Sequence, residues 1–343
     1  MYGEIDILFA LLRSALEGKR LELSAPVDAS RWWHLFRLSQ QNHVAALVAD
    51  ALPPDTPREV LIPWMAERQK AEGWYNYQHD IQEEIVGLMS KHGIKTLVLK
   101  GTNTAQHYPA PETREFGDLD LYFYDKHDEA DRAARTYLRV RVNNISHHHS
   151  KYNYRGVTVE SHYDFLNIHY PPSNRQYEKL LKELAPSPTF EVLFLLRHMA
   201  GHFAASRITL RDVADMALTC QALKDNVDWP VVLDAIRQYG MTVFAAAIGS
   251  IAKQRLGKPT PICMDGDSAA PSQTQLQRIE HDIVYGSIAD HDNDGIDRLG
   301  WKVRRWRAIT WKRRMVYNDN PVTLAISSLA SHTLKPHSIL HKQ

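Results

Sequence analysis

The sequence predicts an α+β fold, a small mixed sheet set between two helical regions. Three observations predict it. Short stretches at 96–99, 118–124 and 157–163 are β-prone, and the last two alternate polar with apolar residues, as half-buried strands do. Apolar residues recur at helical spacing before residue 92 and again after residue 173. Pro171-Pro172 closes the strand-bearing segment. Three regions follow: 1–86, a helical lid or brace; 87–172, the sheet-bearing domain; and 173–343, a second helical region.

The elements follow in order. Residues 4–17 carry Ile5, Leu8, Phe9, Leu11, Leu12 and Leu16 on a helical stripe, with Gly18 as the stop. Asp28 or Ser30 can cap a second helix over 32–52, which Pro53-Pro54 ends. A long helix spans 58–91, and His92-Gly93 closes it; the tryptophans of this region are read as core. The strand at 96–99 is broken by Lys100-Gly101-Thr102, where glycine permits a sharp turn and a close approach of backbone to a ligand. A short helix and a loop lead to the strand at 118–124. Asp125 can cap a helix through 138; 140–145 and 147–154 read as strands, and Arg155-Gly156 turns the chain into 157–163. Beyond Pro172, helices are expected over 189–202, 208–223, 229–239, 241–256 and 278–288, with a loop at 259–274.

Composition excludes several classes. Lys and Arg total 41 and Asp and Glu 40, so no global charge points to nucleic acid or to a membrane surface. Cys220 and Cys263 make neither a disulfide framework nor a zinc spacing, which suits a reducing cytosol. Glu4 and Asp6 precede a short apolar run where a secretory signal would carry basic residues. No stretch reaches the roughly 20 apolar residues that a membrane span needs. A cytoplasmic setting with no membrane partner is expected.

The chemistry centres on acids. Strand side chains alternate faces, so Asp118 and Asp120 share one face while Leu119, Leu121 and Phe123 share the other. Two neighbouring carboxylates repel, and a bound divalent cation relieves them; hard Mg²⁺ suits such oxygens. On 157–163, Glu160 and His162 share a face, and Glu160 joins the Asp pair if the two strands are neighbours.

The ordered set Leu99-Lys100-Gly101, Tyr108-Pro109, Arg114, Gly117-Asp118-Leu119-Asp120 and Glu160-Ser161-His162-Tyr163 resembles the uncharacterised nucleotidyltransferase family. That family is a bacterial branch of the polymerase-β-type nucleotidyltransferase superfamily, and the resemblance covers most of the chain. Thr102 stands where the superfamily often has Ser. Ser161 and Tyr163 replace the commoner Leu and Trp, which leaves the carboxylate and the histidine in place. The resemblance implies a bacterial, Mg²⁺- or Mn²⁺-dependent transfer of a nucleoside monophosphate from ATP or another NTP to a hydroxyl or phosphate acceptor, with release of pyrophosphate. The acceptor could be a small molecule, a protein or RNA. Asp118, Asp120 and Glu160 would hold metal, with Glu160 also a general base. Gly101 and Thr102 would hold the triphosphate through backbone N–H groups, and Lys100 and Arg114 would meet its phosphates. Lys100 could instead pair with an acid. Asp215 resembles an Asp that recurs in the family's helical part.

Other signals are weighed against plainer readings. His162 could bind metal, orient Glu160 or shuttle a proton; a histidine simply hydrogen-bonded beside it is the alternative. His147-His148-His149 is not read as a metal site, because alternation splits the three between opposite faces; the alternative is that one of them, not identified, lines the pocket. His198 and His202 share a helix face without the H-E-x-x-H of a zinc protease, so a packed pair is expected, with a place in the pocket as the alternative. Asp290 to Gly295 imitates an EF-hand loop, but its twelfth position is Trp301, and a solvated loop is expected. The basic run over 302–314, with Trp301, Trp306 and Trp311, is read as a helix with a charged solvated side and buried tryptophan. The competing function is a non-catalytic nucleotide- or nucleic-acid-binding protein on the same fold, using that tail.

Overall fold

The structure, a computed structural model, describes residues 3–144, 148–264, 270–286, 298–320 and 323–324, and of 298–306 the backbone alone. The chain opens with α1 (Glu4–Leu16), whose Leu8, Leu11 and Leu12 are fully buried. Helix α2 (Ala29–Gln41) is capped by Asp28, which accepts from the Arg31 N–H at 2.9 Å. The single helix expected over 32–52 is two, because α3 (Ala45–Ala49) follows a break at Asn42-His43. His43 adopts a left-handed φ of 54°. The Asn42 amide donates to the carbonyls of Leu38 and Val284, and its oxygen accepts from the Leu210 N–H. Those bonds end one helix while tying it to distant parts of the chain. Helix α4 (Arg58–Lys91) has 34 residues and is close to the expected 58–91.

The sheet has four strands: β1 (Leu97–Val98), β2 (Asp118–Tyr122), β3 (His149–Tyr154) and β4 (Val157–His162). Their spatial order is β1-β2-β4-β3. β2 runs parallel to β4, while β1 and β3 lie antiparallel to their neighbours, so the sheet is mixed. Helix α5 (Thr102–Ala105) follows the Gly101 turn, and α6 (His127–Ala133) follows β2. β2 stops at Tyr122 rather than 124, since Tyr124 turns to a φ of 53° and begins a 3₁₀ turn. Asp125 lies in that turn and caps nothing. The helix expected through 138 changes to a π-turn over Ala134–Leu138, ending at a left-handed Arg139. Of the strand expected at 140–145, the described residues form one bridge, Asn143 to Lys151.

Seven helices complete the described chain: α7 (Asn174–Leu184), α8 (Pro188–Ala205), α9 (Leu210–Ala222), α10 (Trp229–Gln238), α11 (Thr242–Leu256), α12 (Gln273–Tyr285) and α13 (Arg298–Val316). Ser187 caps α8, and Thr209 with Asp212 forms a capping box on α9. Helix α12 starts five residues before the expected 278, where Ser272 and Gln275 form its capping box. The loop expected at 259–274 includes a 3₁₀ turn, Pro261–Cys263. No helix among the described residues is long and apolar enough to cross a membrane.

Two hydrophobic clusters result. Leu119, Leu121, Val157 and Val159 from one sheet face pack against Ile81, Ile85 and Met89 of α4. The larger cluster joins α1–α3 and the start of α4 to α7–α13. Trp32 and Trp64 are buried, as expected, whereas Trp33 and Trp74 are over a third exposed. The opposite sheet face, the one bearing Asp118, Asp120 and Glu160, looks toward α8 and α9 across a cavity.

Candidate active site

The parallel register of β2 and β4 builds the site. Asp118 pairs with Thr158, Asp120 with Glu160, and Tyr122 with His162. Period-two alternation then sets Asp118, Asp120, Glu160 and His162 on one face, as the sequence suggested. Asp120, Glu160 and His162 offer ligand atoms within 4.8 Å of one another, a group able to hold a metal.

Asp120 is 2 % exposed and held from both sides. Lys100 Nζ lies 3.0 Å from its Oδ2, and His162 Nε2 lies 3.0 Å from its Oδ1. Burial alone would push the Asp120 carboxyl upward; the Lys100 charge and the His162 hydrogen bond outweigh it and hold the group well below the ordinary carboxylate range. Asp118 shifts the other way, raised by burial and then by the Asp120 charge. The part due to crowded negative charge is what a cation bound between the carboxylates would relieve. By donor type and placement, these residues fit a hard divalent cation. Glu160 is approached by Lys151 at 3.1 Å, His149 at 3.7 Å and His162 at 3.8 Å.

The turn beside the acids is glycine-dependent. Gly101 has φ 64° and ψ −117°, a conformation that side-chain-bearing residues rarely adopt, and the Phe116 ring lies 3.5 Å from where its Cβ would be. Its carbonyl accepts from Arg114 Nη1 at 3.4 Å. The Thr102 hydroxyl donates to Gln82 Oε1 at 2.6 Å, so a residue of α4 steadies the start of α5.

Arg114, expected at the phosphates, lines the cavity and is held by Asp215. It is buried, and its Nε and Nη2 donate to the two oxygens of Asp215 at 2.7 and 2.8 Å. A third N–H goes to Gly101, so three of the five guanidinium N–H groups rest on protein acceptors. Tyr108 donates to the same Asp215 at 2.6 Å. Tyr108 and Arg114 of the sequence motif thus both clamp Asp215 of α9, locking the Gly101 turn onto the helical region. Lys100 takes the alternative foreseen for it, pairing with an acid, and it also touches His198 Nε2 at 3.1 Å.

His198 and His202 lie on one face of α8 with ring centroids 4.5 Å apart and planes tilted by 59°, and both line the cavity. Burial, and then the Lys100 charge, lowers both imidazoles below their ordinary value. Neutral His198 can therefore accept from the Lys100 ammonium. The cavity holds about 720 Å³, within the range of small-molecule sites. Its far wall carries Arg207, Arg211 and Arg313. Arg211 bonds Asp212 and the Glu115 carbonyl, with its Nε left unpartnered among the described residues.

Sequence reasoning missed Gln82, whose hydrogen bond to Thr102 no local pattern announces, and the approach of His148 and His149 to His162. His147 and the EF-hand-like stretch lie outside the described residues. In the basic tail, Trp311 packs edge-on against Phe203 beneath the Arg278 guanidinium, and Lys312 is buried on Asp282 and the Ser206 carbonyl. That part of the tail serves as core, while Arg307 and Arg314 are exposed.

No curated protein and no solved structure matches the chain. The ordered acids, the glycine turn and the helical wall are accompanied by a match of residues 28–257 to a family model, and the chain belongs to the uncharacterised nucleotidyltransferase family.

Proposed function

We propose that the chain transfers a nucleoside monophosphate from an NTP to a hydroxyl or phosphate acceptor bound in the cavity. Family membership supports the general kind of reaction and a nucleotide substrate. The observation that carries the reading is the pairing of Asp120 with Glu160 across parallel strands, with Asp118 on the same face and the Gly101 turn beside it. A divalent ion, Mg²⁺ or Mn²⁺, held by Asp118, Asp120 and Glu160 would neutralise phosphate charge as pyrophosphate leaves.

The chain's own groups supply the rest. Backbone N–H groups after Gly101 receive phosphate oxygens. Lys100 rests on Asp120 as a place-holding cation and is free to move to the triphosphate when the nucleotide brings its metal. Glu160 accepts the proton of the acceptor hydroxyl. The acceptor oxygen then bonds to the α-phosphorus and the bond from that phosphorus to the bridging oxygen breaks. Arg114, clamped on Asp215, positions the Gly101 turn and touches no substrate. The cavity volume favours a small acceptor or an exposed side chain or terminus of a larger one.

The test is label transfer. Each NTP is labelled separately at the α- or γ-phosphate and offered with small-molecule, protein and RNA pools. The α-label is expected to enter one product with Mg²⁺, to release unlabelled pyrophosphate, and to stay behind in Asp120→Asn. Release of γ-label as inorganic phosphate without α-transfer would make the protein a phosphohydrolase.

A further inference from the structure

We infer that His148, His149 and His162 form a second metal site, for a borderline-soft divalent transition ion such as Zn²⁺, Co²⁺ or Fe²⁺, on the rim of the carboxylate pocket. Nothing in the transferase chemistry above calls for it, and it stands independently of that reading.

The geometry is that of a chelate. Ligand nitrogens of the three histidines lie within 4.8 Å of one another. Their ring centroids are separated by 4.4, 5.4 and 5.7 Å. Metal–nitrogen bonds of about 2.0–2.1 Å with tetrahedral angles would put three imidazole centroids about 5 Å apart. Strand alternation, which argued against such a site, does not apply to the pair at 148 and 149. β3 begins at His149, so His148 lies before the strand and escapes its alternation. The β3–β4 register sets His149 directly opposite His162.

The hydrogen bonding points the same way. The Asp120 carboxylate at 3.0 Å requires His162 to donate from Nε2, which in the neutral imidazole puts the lone pair on Nδ1. His162 is 4 % exposed, and its Nδ1 has no hydrogen-bond partner among the described residues. A buried acceptor nitrogen without a donor is costly. A metal ion satisfies it, and a carboxylate behind the opposite ring nitrogen is the usual support of a ligating histidine. His149 Nδ1 is likewise buried without a partner.

Ligand chemistry separates the two sites. Imidazoles favour Zn²⁺, Fe²⁺, Co²⁺ or Ni²⁺, whereas carboxylates alone favour Mg²⁺ or Mn²⁺. All three histidines line the main cavity, so an ion there would keep a coordination position turned toward substrate or solvent.

The test uses full-length, tag-free protein stripped with a chelator and titrated with Co²⁺. The expected result is a visible d–d absorption saturating at one equivalent per chain, unchanged by excess Mg²⁺ and displaced by Zn²⁺. The band should disappear in His148→Ala and in His149→Ala and survive in Asp118→Asn, which alters only the carboxylate set. Circular dichroism of each metal-free variant reports its fold. If His149→Ala disrupts the strand, His148→Gln, outside it, decides the matter. No band, a band that survives both histidine changes in folded protein, or a band lost in Asp118→Asn would overturn the site.

Discussion

Asp215 receives hydrogen bonds from Tyr108 and Arg114, and the guanidinium it holds has almost no access to water. Breaking a buried pair by removing one partner strands the other charge. Asp215→Ala is therefore expected to destabilise the protein by about 3–5 kcal/mol in urea denaturation. The double change Arg114→Met with Asp215→Leu should cost clearly less, since it strands no charge. A second prediction concerns acid. Burial lowers His198 and His202 below the ordinary 6.5 and brings His148 down to about 3. As pH falls below 6.5 the unfolded chain takes protons that these folded imidazoles refuse, so their contribution is present above that pH and is lost below it. Each can remove up to about 1.4 kcal/mol per pH unit. Denaturation midpoints should fall from pH 7 to 5, and His198→Asn should flatten the slope. Asp118 and Asp120 were legible as a one-faced pair because alternation in a strand is local, whereas Glu160 joins them only through the β2–β4 pairing, which alternation leaves open. The partner of Arg114 was not, because Asp215 lies 101 residues away and nothing near Arg114 distinguishes a phosphate ligand from an ion pair.

At the scale of elements, what the sequence conveyed was period and punctuation. The 34-residue α4 was readable from its apolar stripe, and α8 and α9 from their apolar faces. The break between α2 and α3 was not, since 32–52 has no glycine or proline. Asn42 makes the break through bonds to Leu38, Val284 and Leu210, two of which exist only in the folded chain. Asn42→Ala leaves the Val284 carbonyl and Leu210 N–H without that partner. A loss of about 1–3 kcal/mol for each group left unsatisfied is expected in the same denaturation assay. Gly101 belongs to this scale too, because the turn it makes joins β1 to α5. Gly101→Ala should cost about 1–3 kcal/mol in backbone strain and, by re-aiming the N–H groups, should weaken nucleotide binding in calorimetry beyond what the stability loss explains.

Over the whole molecule, the sheet contributes acids and the helices contribute the opposite wall, and the cavity lies where the two meet. That meeting explains why the flanking helices matter to a site whose motif lies on the sheet. The tail was legible in outline, as a helix with exposed arginines and a packed tryptophan, but not at Lys312: charge in a sequence suggests solvent, yet this lysine is fully buried against Asp282. The central claim is that the acids and the glycine turn form one metal–triphosphate site. Calorimetric titration with ATP, GTP, CTP and UTP, each with and without Mg²⁺, tests it most directly, with wild type beside Asp118→Ala/Asp120→Ala. The account predicts that at least one NTP binds wild type only with Mg²⁺ and that the double variant, still folded, loses this binding. Equal binding by the folded double variant, or no binding of any NTP to wild type under any condition, would contradict it.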